Sequence, residues 1–419
     1  MLPLSFFIWP FCTAGASRLA WVRRVCTAVS INLLLTLGRV DALAGPVGQS
    51  LPVSDRFAQA AEHVSPEVCN SCHQDKVLSY RQTAHFQTSA LPSTDSIRGK
   101  FLPGSSLLRT ANPNLLFLME ATDRGFFQKA VMRTSASEIL ERAERFDVVI
   151  GSGRKGQSYL FWDADALVQL PISYWSELKA WVNSPGYVDG TANFERPIAP
   201  RCLECHASSF ESRAPPESRY NPSGLALGIS CEKCHGDGGE HVRRYRAASP
   251  PSSRSDSAIV NPARLPRDRQ IDGCALCHAG IGDAVTPALS FSVGDVLAHH
   301  LQFPKLEPNA HLDVHGSQVQ LLEKSRCFQA SGTMMCTTCH DVHTTQRDLS
   351  AFATKCVSCH QIESCRTFPK LGREIESQCV TCHMPLQETA QIVSAANGRS
   401  LRPKVRNHQI GIYPEVHLP

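Results

Sequence analysis

Two apolar runs open the chain. Leu2 to Ala16 is interrupted by Pro3 and Pro10, whereas Val25 to Leu37 is continuous and follows Arg18, Arg23 and Arg24. At 13 residues the second run falls short of the roughly 20 that cross a bilayer. It matches the apolar stretch of a secretory leader, and Ala42-Leu43-Ala44 before Gly45 is the small-x-small pattern at which a signal peptidase cuts. A leader over residues 1–44 is therefore expected, with the first run either an extension of it or the product of a start placed too far upstream. Arg23-Arg24 stands in a poor context for twin-arginine export, so the Sec route and a periplasmic or otherwise exported product follow. No later apolar run reaches the roughly 18 residues of a minimal span, and no transmembrane segment is expected in the mature chain.

Further along, Phe146-Asp147-Val148-Val149-Ile150, Ser158 to Trp162 and Ala166 to Leu170 read as strands with turn residues between them. Ala136 to Arg145 is the helical candidate beside them, which predicts a small α+β unit within residues 91–200. Between the first two strands lies Gly151-Ser152-Gly153-Arg154-Lys155-Gly156, formally G-x-G-x-x-G. A dinucleotide site needs a helix after the third glycine. Here Gln157-Ser158-Tyr159-Leu160-Phe161-Trp162 follows, which is strand-like, so the glycines predict a hairpin turn. Ala214 to Ser223 and Ala247 to Arg269 are rich in Pro, Ser and Arg and read as surface loops.

Cysteine changes the picture. Of 18 cysteines, fourteen form the pairs Cys69/Cys72, Cys202/Cys205, Cys231/Cys234, Cys274/Cys277, Cys336/Cys339, Cys356/Cys359 and Cys379/Cys382. Each pair is followed directly by a histidine: His73, His206, His235, His278, His340, His360 and His383. Zinc ribbons need two such pairs per metal and no histidine after each. Thioredoxin-like pairs do not recur seven times in one chain, and structural disulfides do not explain a fixed gap of two. Cys-x-x-Cys-His is the attachment signature of c-type haem: the thiols add to the porphyrin vinyl groups and the histidine becomes an axial ligand of the iron. Seven covalent haems are expected. After the leader removes Cys12 and Cys26, Cys327 and Cys365 are left over, and an even remainder in an oxidising compartment predicts a disulfide between them.

The motifs divide the mature chain into an N-terminal haem segment (45–90), a haem-free α+β insertion (91–200) and a six-haem region (201–419). Six motifs between Cys202 and His383 leave too little chain for a conventional core per cofactor. Short helices ending in each motif, wrapped with loops around the haems, are expected, with folding dependent on the cofactor. Tyr174, Trp175 and Trp181 are expected to pack the insertion against haems. The formal charge of +4 misleads, because loss of the leader brings it to about +1 and seven haems with ionised propionates to about −6. With no nucleic-acid motif, nucleic acid is not an expected partner.

Several stretches together resemble a known family. They include Asp147 to Gly153, Gln169-Leu170-Pro171-Ile172-Ser173-Tyr174-Trp175, Ser184-Pro185-Gly186-Tyr187 and Cys202-Leu203-Glu204-Cys205-His206. Others are Cys231 to His241, Ile259 to Leu265, Asp313-Val314-His315-Gly316, Ser325-Arg326-Cys327-Phe328, Cys336 to His343, Cys379 to Pro385 and Arg406-Asn407-His408. Over nearly all of 65–415 the chain resembles the multihaem cytochromes related to cytochrome c-554, some of which carry tetratricopeptide repeats. The resemblance implies an exported electron-transfer protein and fixes no substrate. As the sequence stops at Pro419, no repeat-mediated partner is implied.

Ten further histidines can supply second axial ligands: His63, His85, His241, His299, His300, His311, His315, His343, His408 and His417. His241 and His343 lie too close to His235 and His340 to reach round their own haem, and so are expected to ligate a neighbouring one. His85, His315 and His408 sit in the family motifs and complete the expected set, with the other five left open. Met384 follows its attachment histidine too closely to ligate, and Met334 and Met335 read as packing residues. Two functions remain: an electron carrier or relay working with redox protein partners, and an oxidoreductase with one open haem for a small nitrogen or sulfur species. Relatives with catalytic haems often have lysine in place of the attachment histidine. None of the seven motifs is altered in this way, which favours the carrier.

Overall fold

The computed structural model describes residues 64–213, 218–249, 258–305, 307 and 310–414. The expected leader, His63 and His417 lie outside these residues. Eleven strands carry the middle of the chain. They are β1 (Ser89–Ala90), β2 (Leu107–Arg109), β3 (Leu115–Thr122), β4 (Gly125–Arg133), β5 (Ile139–Arg145), β6 (Val148–Ile150), β7 (Gly156–Asp163), β8 (Ala166–Gln169), β9 (Ile172–Trp175), β10 (Ala180–Asn183) and β11 (Arg196–Pro197). One antiparallel sheet has the order β2-β3-β4-β5; the other runs β1-β6-β7-β8-β11, with β9 joined to β7 and to β10.

Strand alternation decides which side chains meet. On β3, Leu115, Phe117 and Met119 are buried at every second position, the period of a pleated strand with one covered face. They join Phe146, Tyr159, Leu170, Ile172 and Trp181 in a single apolar cluster drawn from both sheets. Phe146 lies flat on Tyr159 with ring centroids 4.2 Å apart. Gln128 reaches into this apolar interior with no exposed surface. Its amide donates to the Ile172 carbonyl at 3.0 Å and accepts from the Ile172 N–H at 2.9 Å, so one polar side chain bridges β4 to β9.

Three expectations change here. The helix over Ala136 to Arg145 is strand β5, paired with β4 from Arg133↔Ile139 to Phe127↔Arg145. It is an edge strand, exposed along almost its whole length. No buried face imposes a period on its sequence, so cross-strand pairing overrides local preference. Among the described residues the insertion is thus β throughout, not α+β. Tyr174 and Trp181 face the insertion's own core instead of packing it outward. The glycine turn stands: Gly151 (φ +100°) and Gly153 (φ +77°) turn the chain from β6 into β7, and a Cβ on Gly151 would lie 2.7 Å from the Gly156 carbonyl oxygen. Only glycine fits that conformation and approach.

Around the strands lie short helices: α1 (Pro66–Asn70), α2 (Gln74–Tyr80), α3 (Pro200–Glu204), α4 (Glu232–His235), α5 (Gly239–Arg246) and α6 (Arg267–His278). These are followed by α7 (Gln318–Glu323), α8 (Arg326–Ala330), α9 (Cys336–Cys339), α10 (Leu349–Val357), α11 (Phe368–Leu371) and α12 (Cys379–His383). Arg267 to Arg269, expected as loop, form the first turn of α6, started by Pro266. A late hairpin, Ser394–Ala396 with Arg399–Leu401, turns through Asn397 and Gly398, both at positive φ, as tight hairpins require. It docks on the sandwich through Asn183 Nδ2 to the Ala395 carbonyl (3.0 Å) and Gly398 N–H to Asp189 Oδ2 (2.8 Å). Among the described residues no helix is long and apolar enough to cross a membrane.

Candidate functional site

Each Cys-x-x-Cys-His sits on or beside one of these helices. The backbone N–H groups of His73, His235 and His340 donate to the carbonyls of Cys69, Cys231 and Cys336 at 2.9 Å, and that of His360 donates to Cys356 at 3.0 Å. One helical turn per motif sets the two thiols three residues apart on one face, with the imidazole next to them. The motifs also crowd one another: the thiols of Cys69 and Cys231, of Cys205 and Cys277, and of Cys274 and Cys336 lie within hydrogen-bond reach.

Cover by the chain is uneven. Cys72, Cys202, Cys234 and Cys359 are exposed, whereas Cys277 and Cys382 are half-buried. Position within a helix does not decide the difference. Cys277 and Cys382 lie inside α6 and α12, and so do the exposed Cys202 and Cys234 inside α3 and α4. Cys72 and Cys359 come just after the C-cap residues Ser71 of α1 and Ser358 of α10. Each thiol has a serine hydroxyl beside it, Ser71 at 3.8 Å from Cys72 and Ser358 at 3.8 Å from Cys359. The histidines of these two motifs, His73 and His360, are exposed as well.

The histidines from distant segments fall into facing pairs. His241 stands 6.3 Å from His73, His343 6.1 Å from His235, His408 6.2 Å from His340 and His85 6.0 Å from His278, centroid to centroid. His315 neighbours His206. His241 and His343 therefore face a motif other than the one that precedes them. These gaps are too wide for ring contact. Two nitrogen–metal bonds of about 2 Å with a half-ring on each side put imidazole centroids about 6 Å apart, so the pairs fit a single iron between them.

Hydrogen bonds orient the rings for that role. His235 Nδ1 donates to the Val260 carbonyl (2.9 Å) and His383 Nδ1 to the Gly411 carbonyl (2.7 Å). This fixes the tautomer and leaves the Nε2 lone pair for a metal. His206 Nδ1 meets the Thr88 hydroxyl at 2.9 Å. The loops that carry the partner rings are pinned too. Asp341 Oδ1 accepts the His343 N–H (2.9 Å), Asp313 Oδ1 accepts the His315 N–H (2.8 Å), and the buried Ser325 hydroxyl donates to the His408 carbonyl (3.1 Å). Crowding by the surrounding protein, then the neighbouring imidazoles of His85, His408, His340 and His315, pull the His278 pKa down to about 4, although the residue keeps exposed surface.

Of the other candidates, His300 is engaged at both nitrogens. Its Nδ1 lies 3.0 Å from the Thr286 hydroxyl and 3.1 Å from that of Ser290, and its Nε2 lies 3.4 Å from Asp295. His299 and His311 are exposed. Among the described residues no histidine ring faces His360 or His383 as in the four pairs. Cys327 and Cys365 are both free thiols, which corrects the expected disulfide. Cys327 lies by Cys339 and Cys356, whereas Cys365 lies by Cys379 and Cys382. Sequence reasoning missed the orienting contacts from Thr88, Val260 and Gly411, because nothing local marks a backbone carbonyl or a hydroxyl that is brought in from afar.

Residues 177–236, which hold the motifs ending in His206 and His235, match the family model for cytochrome c554 and c-prime. No curated protein matches the chain. Among solved structures, the outer cell wall cytochrome OcwA is similar at 15% identity over 83% of this chain and 79% of its own, with a TM-score of 0.49. An undecaheme cytochrome from the S-layer of Carboxydothermus ferrireducens is similar at 15% identity over 81% of this chain and 52% of its own, with a TM-score of 0.36.

Proposed function

We propose that the chain is an exported heptahaem c-type cytochrome that relays electrons between redox protein partners. The observation that carries this reading is the set of four histidine pairs with centroids 6.0–6.3 Å apart, each joining an attachment histidine to one from another segment. In this reading the paired cysteines hold haem c at all seven motifs, the exposed Cys72 and Cys359 included, and each attachment histidine is an axial ligand. His241, His343, His85, His408 and His315 supply the second ligand opposite His73, His235, His278, His340 and His206. Haem c would supply one-electron exchange, and at the five motifs with a partner histidine the two imidazoles would leave no open site for a substrate. The protein's part is to fix ring orientation through carbonyl and hydroxyl contacts and to hold the motifs within thiol contact of one another, which keeps transfer distances short.

The test is His343→Ala in the fully loaded protein. The reading expects all seven haems to remain attached, since attachment needs only the pentapeptide, while one haem changes from low-spin to high-spin in ferric EPR. An unchanged spectrum would refute the assignment of His343. The oxidoreductase reading is favoured by one observation, the lack of a facing described histidine at His360 and His383. It expects the unmutated ferric protein to contain a high-spin haem and to bind cyanide or nitrite.

A further inference from the structure

Inside the second motif, Glu204 is 3% exposed. Its Oε2 accepts from Arg201 Nη1 at 2.8 Å and its Oε1 accepts the Leu289 N–H at 2.8 Å. Arg201 reaches on, with Nη1 3.3 Å from Cys205 Sγ and Nη2 donating to the Leu276 carbonyl at 2.6 Å, inside the fourth motif. Arg201 Nε is buried with no partner among the described residues. Lys233, a spacer residue of the third motif, is half-buried and lies near Glu204 and the thiols of Cys205, Cys234 and Cys277. Two of these three charges therefore occupy spacer positions, where haem attachment places no demand on residue type. Burying charges costs several kcal/mol per ion, and an apolar pair of similar volume is often as stable or more so. A cluster at the meeting of three motifs is thus a poor device for stability and a good source of electric field, which acts strongly in a low-dielectric interior.

We infer that Glu204, Arg201 and Lys233 form a charge cluster, with Glu204 buried at its centre, that sets the reduction potentials of the haems attached at His206 and His278. This rests on the relay reading of those motifs. A fixed positive charge near an iron favours its reduced form, and a negative one favours the oxidised form. The two spacer charges therefore act in opposite directions. Glu204 holds the local potentials down, and Lys233 holds them up.

The experiment is a potentiometric titration of the purified holoprotein followed by optical and EPR signals, comparing Glu204→Gln, Lys233→Met and Lys233→Arg. The inference expects at least one low-spin component to move to higher potential in Glu204→Gln and to lower potential in Lys233→Met, with Lys233→Arg restoring the wild-type value. A merely structural role predicts shifts of the same sign in both neutralising variants, with no rescue by arginine. That outcome, or unmoved potentials in both, overturns the inference. Haem count by mass and spin state by EPR on the same samples keep the two claims apart. Missing or high-spin haems at these motifs in the unmutated protein would sink the relay reading, whereas a full low-spin complement with no opposite shifts sinks only the charge cluster.

Discussion

Replacing Gln128 with leucine tests how the sandwich is held together. The side chain is fully buried and gives the Ile172 N–H and carbonyl their hydrogen bonds, at 2.9 and 3.0 Å. Leucine fills a similar volume but satisfies neither group. Each buried, unpaired backbone group costs about 1–3 kcal/mol, so a loss of about 2–6 kcal/mol is expected for the two. Outside the leader the only tryptophans are Trp162, Trp175 and Trp181, all within the sandwich strands. Guanidinium unfolding followed by tryptophan fluorescence therefore reports on the insertion, while the haem absorbance band reports on the motif region. Gln128→Leu should lower the fluorescence midpoint strongly and the haem midpoint much less. A fluorescence stability change under about 0.5 kcal/mol would refute the bridging role, because that is the range of inert surface substitutions.

Intact-mass analysis of exported protein should give a chain starting near Gly45 with seven haem masses added, and two or more empty motifs would overturn the haem count. Quantitative alkylation of unfolded, unreduced protein should label both Cys327 and Cys365, whereas protection of the pair would restore the disulfide. Gly228→Ala should destabilise the protein by about 1–3 kcal/mol in thermal unfolding. That glycine has φ +72°, and an added Cβ would clash with the Phe86 carbonyl oxygen. A neutral result would mean that the His85 loop yields easily.

What could be read from the chain divides along local and long-range lines. The pentapeptides are local, and so are the one-turn helices that carry them. The same holds for the turn at Gly151 and Gly153, where a strand on each side of the glycines argues against a nucleotide site. Ring partnership is long-range. Proximity excludes His235 as the partner of His241, but nothing near α5 says that His73 is the ring it faces, or that His85 would cross to His278. Cover is not legible either: the same Cys-x-x-Cys-His pattern leaves Cys72, Cys202, Cys234 and Cys359 exposed and Cys277 half-buried. The β5 error has the same root, since an exposed edge strand writes little pattern into its sequence and takes its structure from β4. Cys327 and Cys365 could not be separated by counting, because counting carries no distance.

The docked hairpin at 394–401 has a consequence for the order in which the protein is finished. It supplies the groups that meet Asn183 and Asp189 of the sandwich, yet it follows Cys379 and Cys382, the last attachment pair, in the chain. A polypeptide delivered from its N-terminus presents every attachment cysteine before it presents this clasp. The contacts at Asn183 and Asp189 therefore form only after the last of these pairs has become accessible, and of the paired histidines only His408 comes later.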